Sequence, residues 1–180
     1  MKIGIDIDDT LTNTTEVANS YLHQNGRYES VSDFHDLDQE AYEKFLTDNL
    51  KQIVLNNELK KDAKSILQKW HERGNKLIFV TARGSENQLE SIFYTSLYFQ
   101  LHGVCFDEII FLKKHKDKTA LREKIDIFID DKESILDEIS KTGIKVVKMA
   151  SKDKQSKYDM VNNWLELDKY LESIGDGFNG

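Results

Sequence analysis

Short apolar segments recur along the chain with the spacing of an alternating α/β protein. Five of them are rich in Ile, Val and Phe and have the length of buried parallel strands: residues 2–7, 76–81, 108–112, 126–129 and 144–148. The intervening stretches carry apolar residues at helical spacing, and several of these stretches are followed by a glycine that can end a helix. The alternation predicts a doubly wound α/β fold, in which helices cover both faces of a parallel sheet.

One long stretch interrupts this alternation. Between residues 7 and 76 there is no strand pattern, and residues 17–22 and 41–55 carry helical patterns instead. We therefore predict a small helical cap, residues 15–57, inserted after the first strand into a catalytic core of residues 1–14 and 58–180. Four aromatic residues of this cap either form its own hydrophobic core or stack on a substrate base: Tyr21, Phe34, Tyr42 and Phe45.

Composition narrows the range of partners. The 180 residues are 39% apolar and 32% charged, with a net charge of -7, as in an ordinary globular protein that does not bind nucleic acid polymers. The single cysteine, Cys105, excludes an intrachain disulfide, and the N-terminus has no signal-peptide pattern. The apolar runs are too short to span a bilayer, so we expect a cytoplasmic protein without a membrane partner.

Polar side chains follow three of the predicted strands at the point where each strand ends. The first strand leads into Asp6, Asp8, Asp9 and Thr10, the second into Thr81, Ala82 and Arg83, and the fourth into Asp130 and Asp131. Ligands of parallel α/β sheets bind beyond the carboxyl ends of the strands, so these residues are expected to share one site. Lys116 and Lys118 precede the fourth strand and are candidates for the same site.

The spacing of the first acids indicates a cation. Asp6 and Asp8 are two residues apart, so both side chains point to the same side of an extended backbone. Converging carboxylates repel each other unless a cation is present, and Mg²⁺ fits where phosphate completes its oxygen shell. Each acidic cluster taken singly is also typical of a turn or a helix cap. Their joint occurrence with Thr81, at three strand ends in all, favours a metal site.

These segments resemble the motifs of the haloacid-dehalogenase (HAD) superfamily. Residues 3–12 resemble its first motif, a strand followed by DxDxT, while residues 79–83 and 127–131 resemble its second and fourth motifs. The third motif is a lysine before the fourth strand. The order of residues 102–109, 125–131 and 158–166 also resembles the 5′(3′)-deoxyribonucleotidase-like branch of bacterial nucleotidases. The chain lacks that branch's Pro-Tyr-Asn and C-terminal arginine, so its substrate stays open.

The resemblance implies a role for each matching position. Asp6 is expected to attack phosphorus and form an aspartyl-phosphate, and Asp8 to act as general acid and then general base. Thr81 is expected to hold phosphoryl oxygens, and Lys118 to neutralise charge in the transition state. Lys116 is the rival for that role: Lys118 matches the family's Asp-Lys-Thr pattern, whereas Lys116 lies at a comparable distance from the fourth strand.

The resemblance also implies a metal site and a phosphate site. The expected Mg²⁺ ligands are Asp6, Asp8 through its backbone carbonyl, Asp130 and Asp131, the last either as a direct ligand or through another ligand. The expected phosphate or substrate contacts are Asp9, Thr10, Ala82 and Arg83. Arg83 either forks onto the substrate phosphate or pairs with an acid on its own helix.

The implied function is Mg²⁺-dependent hydrolysis of a small phosphorylated metabolite, with nucleoside or deoxynucleoside 5′-monophosphates as the first expectation. Sugar phosphates and other small metabolites are the alternative substrates. Two further hypotheses are a phospho-accepting regulatory domain and a catalytically silent scaffold. A receiver domain carries its phosphorylated aspartate after the third strand, but here that strand ends in Phe111 and Leu112. The sequence leaves the oligomeric state open.

Overall fold

The core is a single parallel sheet of six strands, as seen in a computed structural model that describes residues 1–24, 26–28, 30–83, 88–112, 115–150 and 155–175. The strands are β1 (Lys2–Ile5), β2 (Lys76–Thr81), β3 (Glu108–Phe111), β4 (Ile127–Asp130), β5 (Lys145–Met149) and β6 (Met160–Val161). Their order is β3-β2-β1-β4-β5-β6, and every pairing is parallel. The predicted doubly wound sheet is confirmed.

Seven α-helices and two short 3-10 helices, Gly26–Tyr28 and Phe34–Asp36, accompany these strands in the described part of the chain. The α-helices are α1 (Thr14–Gln24), α2 (Gln39–Leu55), α3 (Ala63–Glu72), α4 (Gln88–His102), α5 (Lys116–Arg122), α6 (Glu133–Ser140) and α7 (Trp164–Gly175). The chain builds β1, β2 and β3 outward in one direction and then returns to place β4 on the other side of β1. Because the winding direction reverses between β1 and β4, their carboxyl ends border the crevice where such sheets bind ligands.

The strand ends differ slightly from the predicted ones, and the difference concerns the acids. β1 ends at Ile5, so Asp6 lies just beyond the strand, whereas β4 extends to include Asp130. β2 has the predicted bounds. The short strand β6 was not predicted, because two residues carry no periodicity and pair only once the chain has folded back beside β5.

The two faces of the sheet are buried against separate apolar clusters. Ile3 and Ile5 of β1 pack on the side that carries the two tryptophans, while Phe128 of β4 packs with Leu136 on the other side. Gly4 lies between these isoleucines, and a Cβ there would come within 2.5 Å of Cδ2 of Phe128. Glycine is therefore required at this position because the Phe128 ring approaches the backbone so closely.

The predicted insertion has a hydrophobic cluster of its own. The buried members of this cluster are Ala18, Leu22, Tyr28, Phe34, Phe45 and Ile53, all within residues 15–57. Val54 in the last turn of α2 packs instead into the core of the sheet. The segment is helical as expected, and its assignment as a cap separate from a core of 1–14 and 58–180 stays a prediction. None of the described helices is long and apolar enough to cross a membrane.

Candidate active site

Three carboxylates converge at the carboxyl ends of β1 and β4. The backbone N–H of Asp6 donates to the carbonyl of Ile129 at 2.9 Å, which ties the residue after β1 to the neighbouring strand. Asp130 ends β4 and Asp131 follows it. One oxygen from each of Asp6, Asp130 and Asp131 lies within 4.8 Å of the others, and all three residues are buried. They form an all-oxygen ligand set.

Lys116 supplies the positive charge beside these acids. Its Nζ donates to Oδ1 of Asp6 at 2.5 Å and to Oδ2 of Asp130 at 2.8 Å, and the residue is buried. Lys118, the residue preferred from the sequence, is exposed on α5. Two residues along a helix turn the side chain by about 200°, so only one of the two lysines can face the acids. The structure thus brings Lys116, and not Lys118, together with the acids, and which of the two is the motif lysine stays a prediction.

The electrostatics of this cluster call for another cation. Burial raises the pKa of Asp6, with Lys116 opposing the shift and Asp130 adding to it. Burial together with Asp130 and Asp9 raises the pKa of Asp131 to about 7. Burial lowers the pKa of Lys116, but its carboxylate neighbours outweigh this effect and raise it overall. Lys116 contacts only two of the three carboxylates, and Lys132 opposes the shift at Asp131 without cancelling it, since the pKa of Asp131 stays raised. A hard divalent cation with oxygen ligands, as Mg²⁺ is, fits the donor set.

Asp8 lies apart from these three acids and is paired with Arg83. The Nε of Arg83 lies 3.1 Å from Oδ1 and 3.0 Å from Oδ2 of Asp8, and Nη2 lies 2.5 Å from Oδ1. Burial raises the pKa of Asp8, but the charge and hydrogen bonds of Arg83 outweigh it and hold the pKa below its ordinary value. Arg83 thus pairs with an acid after β1, which is not the acid on its own helix that was one of the two predicted partners; a contact with the substrate phosphate stays untested.

The remaining predicted residues border the same edge of the sheet. Asp9 has a φ of +59° and accepts hydrogen bonds from the N–H and hydroxyl of Thr15, at the start of α1. The buried hydroxyl of Thr10 lies 3.4 Å from Oδ1 of Asp131. Thr81 is buried at the end of β2, where its hydroxyl accepts from the N–H of Arg83 at 3.3 Å, and Ala82 is exposed beside it.

Two lysines of the site were missed by the sequence reasoning. Lys60 follows the cap segment, and its ammonium donates to the backbone carbonyl of Asp9. Lys132 is exposed, and its N–H donates to Oδ1 of Asp130 at 2.9 Å. Burial lowers the pKa of Lys132, but the surrounding carboxylates raise it overall, with Asp131 the strongest. The position of Lys132 directly after the Asp-Asp pair was a sequence signal that could have placed it in the site. Lys60 had no such signal.

One aromatic side chain of the helical insertion experiences charges of the site. Tyr42 is half-buried, and its ring stacks on Phe34 with centroids 5.6 Å apart. Burial raises the pKa of Tyr42, with Lys132 opposing the shift and Asp8 adding to it. Phe34 and Phe45 are buried in the cap and serve as its core.

Comparison with known proteins finds similar proteins that are named as a nucleotidase, a hydrolase and a phosphatase. No family model matches the chain. A nucleotidase from Clostridium acetobutylicum is 29% identical over 156 residues, which cover 82% of this chain and 79% of that protein. A HAD-superfamily hydrolase from Ehrlichia chaffeensis is 16% identical with a TM-score of 0.58, and 96% of each chain is covered.

Two further crystal structures share the fold. A protein described as a predicted phosphatase from Clostridium acetobutylicum is 18% identical with a TM-score of 0.65, over 96% of this chain and 98% of that one. CbbY from Rhodobacter sphaeroides, in complex with phosphate, is 14% identical with a TM-score of 0.63, over 92% and 95%. The chain therefore has the HAD hydrolase fold. Its predicted resemblance to HAD phosphatases and the prediction of an enzyme are confirmed.

Proposed function

We propose that this chain is a Mg²⁺-dependent phosphomonoester hydrolase that works through an aspartyl-phosphate on Asp6. One observation carries the proposal. At the crevice of the sheet, Lys116 contacts Asp6 within a buried group of three carboxylates, while Asp8 lies two residues away and is 30% exposed in its side chain. The site thus offers one acid that is held with a cation and a second acid that solvent and a leaving group can reach.

The metal ligands of the proposal are the side chains of Asp6, Asp130 and Asp131 and the backbone carbonyl of Asp8. When bound, Mg²⁺ relieves the repulsion among the carboxylates and draws electron density from the phosphoryl oxygens. Lys116 adds a fixed positive charge beside Asp6. Its pairing with Asp130 as well as Asp6 restrains its position, so it stabilises transition-state charge without having to reorganise.

The two aspartates then divide the chemistry between two steps. An oxygen of Asp6 attacks phosphorus as the bond to the leaving oxygen breaks, and Asp8 gives its proton to that oxygen. In the second step Asp8 takes a proton from a water that attacks the same phosphorus. The bond between phosphorus and Asp6 breaks, which releases inorganic phosphate and restores the Asp6 carboxylate and the protonated carboxyl of Asp8. A bound phosphate dianion raises the pKa of the nearby Asp8 carboxyl and so favours its protonation for the first step.

For the substrate we propose small monophosphates, with nucleoside and deoxynucleoside 5′-monophosphates first. Tyr42 and its stacking partner Phe34 provide an aromatic surface on the cap, near Asp8. The relative from C. acetobutylicum is named a nucleotidase, which supports the same choice. A cap after β1 restricts the size of the leaving group, because the segment begins at the carboxyl end of that strand. Sugar phosphates remain the alternative substrates.

The test is a comparison of kcat/KM across substrates, with Mg²⁺ and with a chelator. The panel contains ribo- and deoxyribonucleoside monophosphates, sugar phosphates, a phosphopeptide and a 5′-phosphorylated oligonucleotide. The folded Asp8→Asn variant, purified identically, controls for contaminating phosphatases. We expect metal-dependent hydrolysis that is fastest for the nucleoside monophosphates. Higher kcat/KM for the phosphopeptide or oligonucleotide would contradict the substrate proposal, and persistent phosphate on Asp6 without turnover would favour a regulatory domain.

A further inference from the structure

Arg83 uses its guanidinium almost entirely on protein groups. Nε and Nη2 both donate to the carboxylate of Asp8, and Nη1 donates to the hydroxyl of Thr95 on α4 at 3.1 Å. Its side chain is only 9% exposed. To bind a phosphate through Nε and Nη2, this guanidinium would have to release Asp8. The guanidinium is the buried member of the pair, and a buried charge that loses its partner is costly, so the pair opposes such a movement.

We propose that Arg83 is a positioning residue that fixes the carboxylate of Asp8 for proton transfer and does not bind the substrate phosphate. The inference rests on the proposed phosphatase function and deepens it, because it assigns a role to a residue that resemblance alone places among the substrate contacts. Arg83 acts on the reaction only through Asp8.

The hydrogen bonds distinguish the two oxygens of Asp8. Oδ1 accepts from Nη2 of Arg83 at 2.5 Å and from the hydroxyl of Thr14 at 2.7 Å, with Nε of Arg83 at 3.1 Å. Oδ2 accepts only from Nε of Arg83, at 3.0 Å, among the residues that the structure describes. Oδ1 is therefore the anchored oxygen, and Oδ2 is the oxygen that carries the proton to the leaving group and later accepts one from water.

The anchors of this arrangement come from separate parts of the fold. Thr95 is fully buried on α4, and Thr14 begins α1. The Thr14 hydroxyl has one proton, which it donates to Asp8, so it accepts at its lone pairs from Nδ2 of Asn57 at 2.7 Å. Lysine is not equivalent to Arg83 here, because an ammonium lacks the planar fork that reaches Asp8 and Thr95 together.

Substrates with different leaving groups distinguish two possible roles of Arg83, which are positioning of the acid Asp8 and binding of the substrate phosphate. An alkyl phosphate, such as a deoxynucleoside monophosphate, needs a proton on its leaving oxygen, whereas p-nitrophenyl phosphate has a good leaving group and needs little help. The second step needs Asp8 as a base with either substrate, so the rate to measure is that of leaving-group release in the first turnover. We expect Arg83→Lys to lower this rate for the alkyl phosphate by about 10- to 100-fold and for p-nitrophenyl phosphate by less than about threefold. The inhibition constant of inorganic phosphate should stay within about twofold.

The matched control is Arg73→Lys. Arg73 also pairs with a carboxylate, Nη1 to Glu172 at 2.8 Å, but it lies on the exposed side between α3 and α7. We expect this variant to behave as the unsubstituted chain does with both substrates. If Arg83→Lys fails to fold, Thr95→Val is the second variant, because it removes one acceptor of the guanidinium without removing a charge. It should show the same selective loss with the alkyl phosphate, reduced in size.

The results that would overturn this inference differ from the result that would overturn the proposed function. Equal losses of the first-turnover rate with both substrates, together with an inhibition constant for phosphate raised tenfold or more, would overturn the inference and make Arg83 a phosphate ligand. Equal losses with an unchanged inhibition constant would also overturn it, since a general structural effect does not depend on the leaving group. If the unsubstituted chain hydrolyses neither substrate with Mg²⁺ present, the proposed function itself fails and the inference fails with it.

Discussion

The ammonium of Lys116 lies 2.5 Å from Oδ1 of Asp6, although 110 residues separate the two in the sequence. Asp6 follows the central strand β1 and Lys116 begins helix α5, so the contact joins two elements across the crevice. The same ammonium also reaches Asp130. A residue bound in this way is restrained before any substrate arrives, which is the condition for stabilising transition-state charge without reorganisation.

Substitution of the two lysines should have opposite results. Lys116→Met removes the buried cation beside Asp6, and we expect kcat to fall by about 100-fold or more. Lys118→Met removes an exposed ammonium on the same helix, so kcat should stay within about twofold and the free energy of unfolding within about 0.5 kcal/mol. Steady-state kinetics and urea denaturation of both variants provide the measurement. A larger loss of kcat in the second variant would restore Lys118 as the motif lysine.

Asp6→Asn should separate activity from stability. The variant keeps the shape of the side chain but removes the nucleophilic oxygen anion, so hydrolysis should fall by at least about 1000-fold. Burial and the neighbouring acids disfavour the charge on Asp6, so its removal should leave the Tm of the metal-free protein unchanged or higher. Circular dichroism melts and an activity assay check the two parts. Near-normal turnover by a folded variant would refute the nucleophile assignment.

Mg²⁺ should stabilise the folded protein. A ligand that binds only the folded state adds about 2.7 kcal/mol at about 100 times its Kd, so Tm should rise with Mg²⁺ and fall back with a chelator. Asp130→Asn and Asp131→Asn should each lose most of this increase. Asp62→Asn is the control, because Asp62 makes no side-chain cap to α3 and lies outside the cluster.

Tm and activity measured with Ca²⁺ in place of Mg²⁺ test which metal the site uses. Ca²⁺ should bind but support hydrolysis poorly, because its larger and looser shell presents the oxygen of Asp6 differently. Full hydrolytic activity in a sample stripped of metal would show that the oxygen cluster is not a catalytic metal site.

Two aromatic residues of the cap should differ in the property they control. Phe45 is buried in the cap cluster, and Phe45→Ala should lower the free energy of unfolding by about 3 to 5 kcal/mol. Tyr42 is half-buried near Asp8, and Tyr42→Leu should raise KM for nucleoside monophosphates about tenfold with little change for p-nitrophenyl phosphate. Denaturation curves and KM values of both variants test this division. An unchanged KM for Tyr42→Leu would remove the cap from substrate recognition.

Much of the fold was predictable because the strands are buried on both faces. A strand such as β2, with five consecutive buried residues after Lys76, must read as a continuous apolar run, and its bounds were predicted correctly. The ends of these runs also located the acids, since parallel strands carry their functional residues at one edge. β6 was missed because its two residues pair only through the return of the chain beside β5.

The sequence by itself determined where the carboxylates lie, because Asp6, Asp130 and Asp131 directly follow or end apolar strands whose register the burial pattern fixes. Only the tertiary structure decided which cations meet them. Lys116 and Lys118 are alike in sequence, and the choice depends on how α5 is rotated against the sheet. Likewise Arg83 meets Asp8 across 75 residues, a contact that no local pattern records. Long side chains at the ends of loops reach partners that the packing of several elements sets, so their contacts follow from the assembled fold.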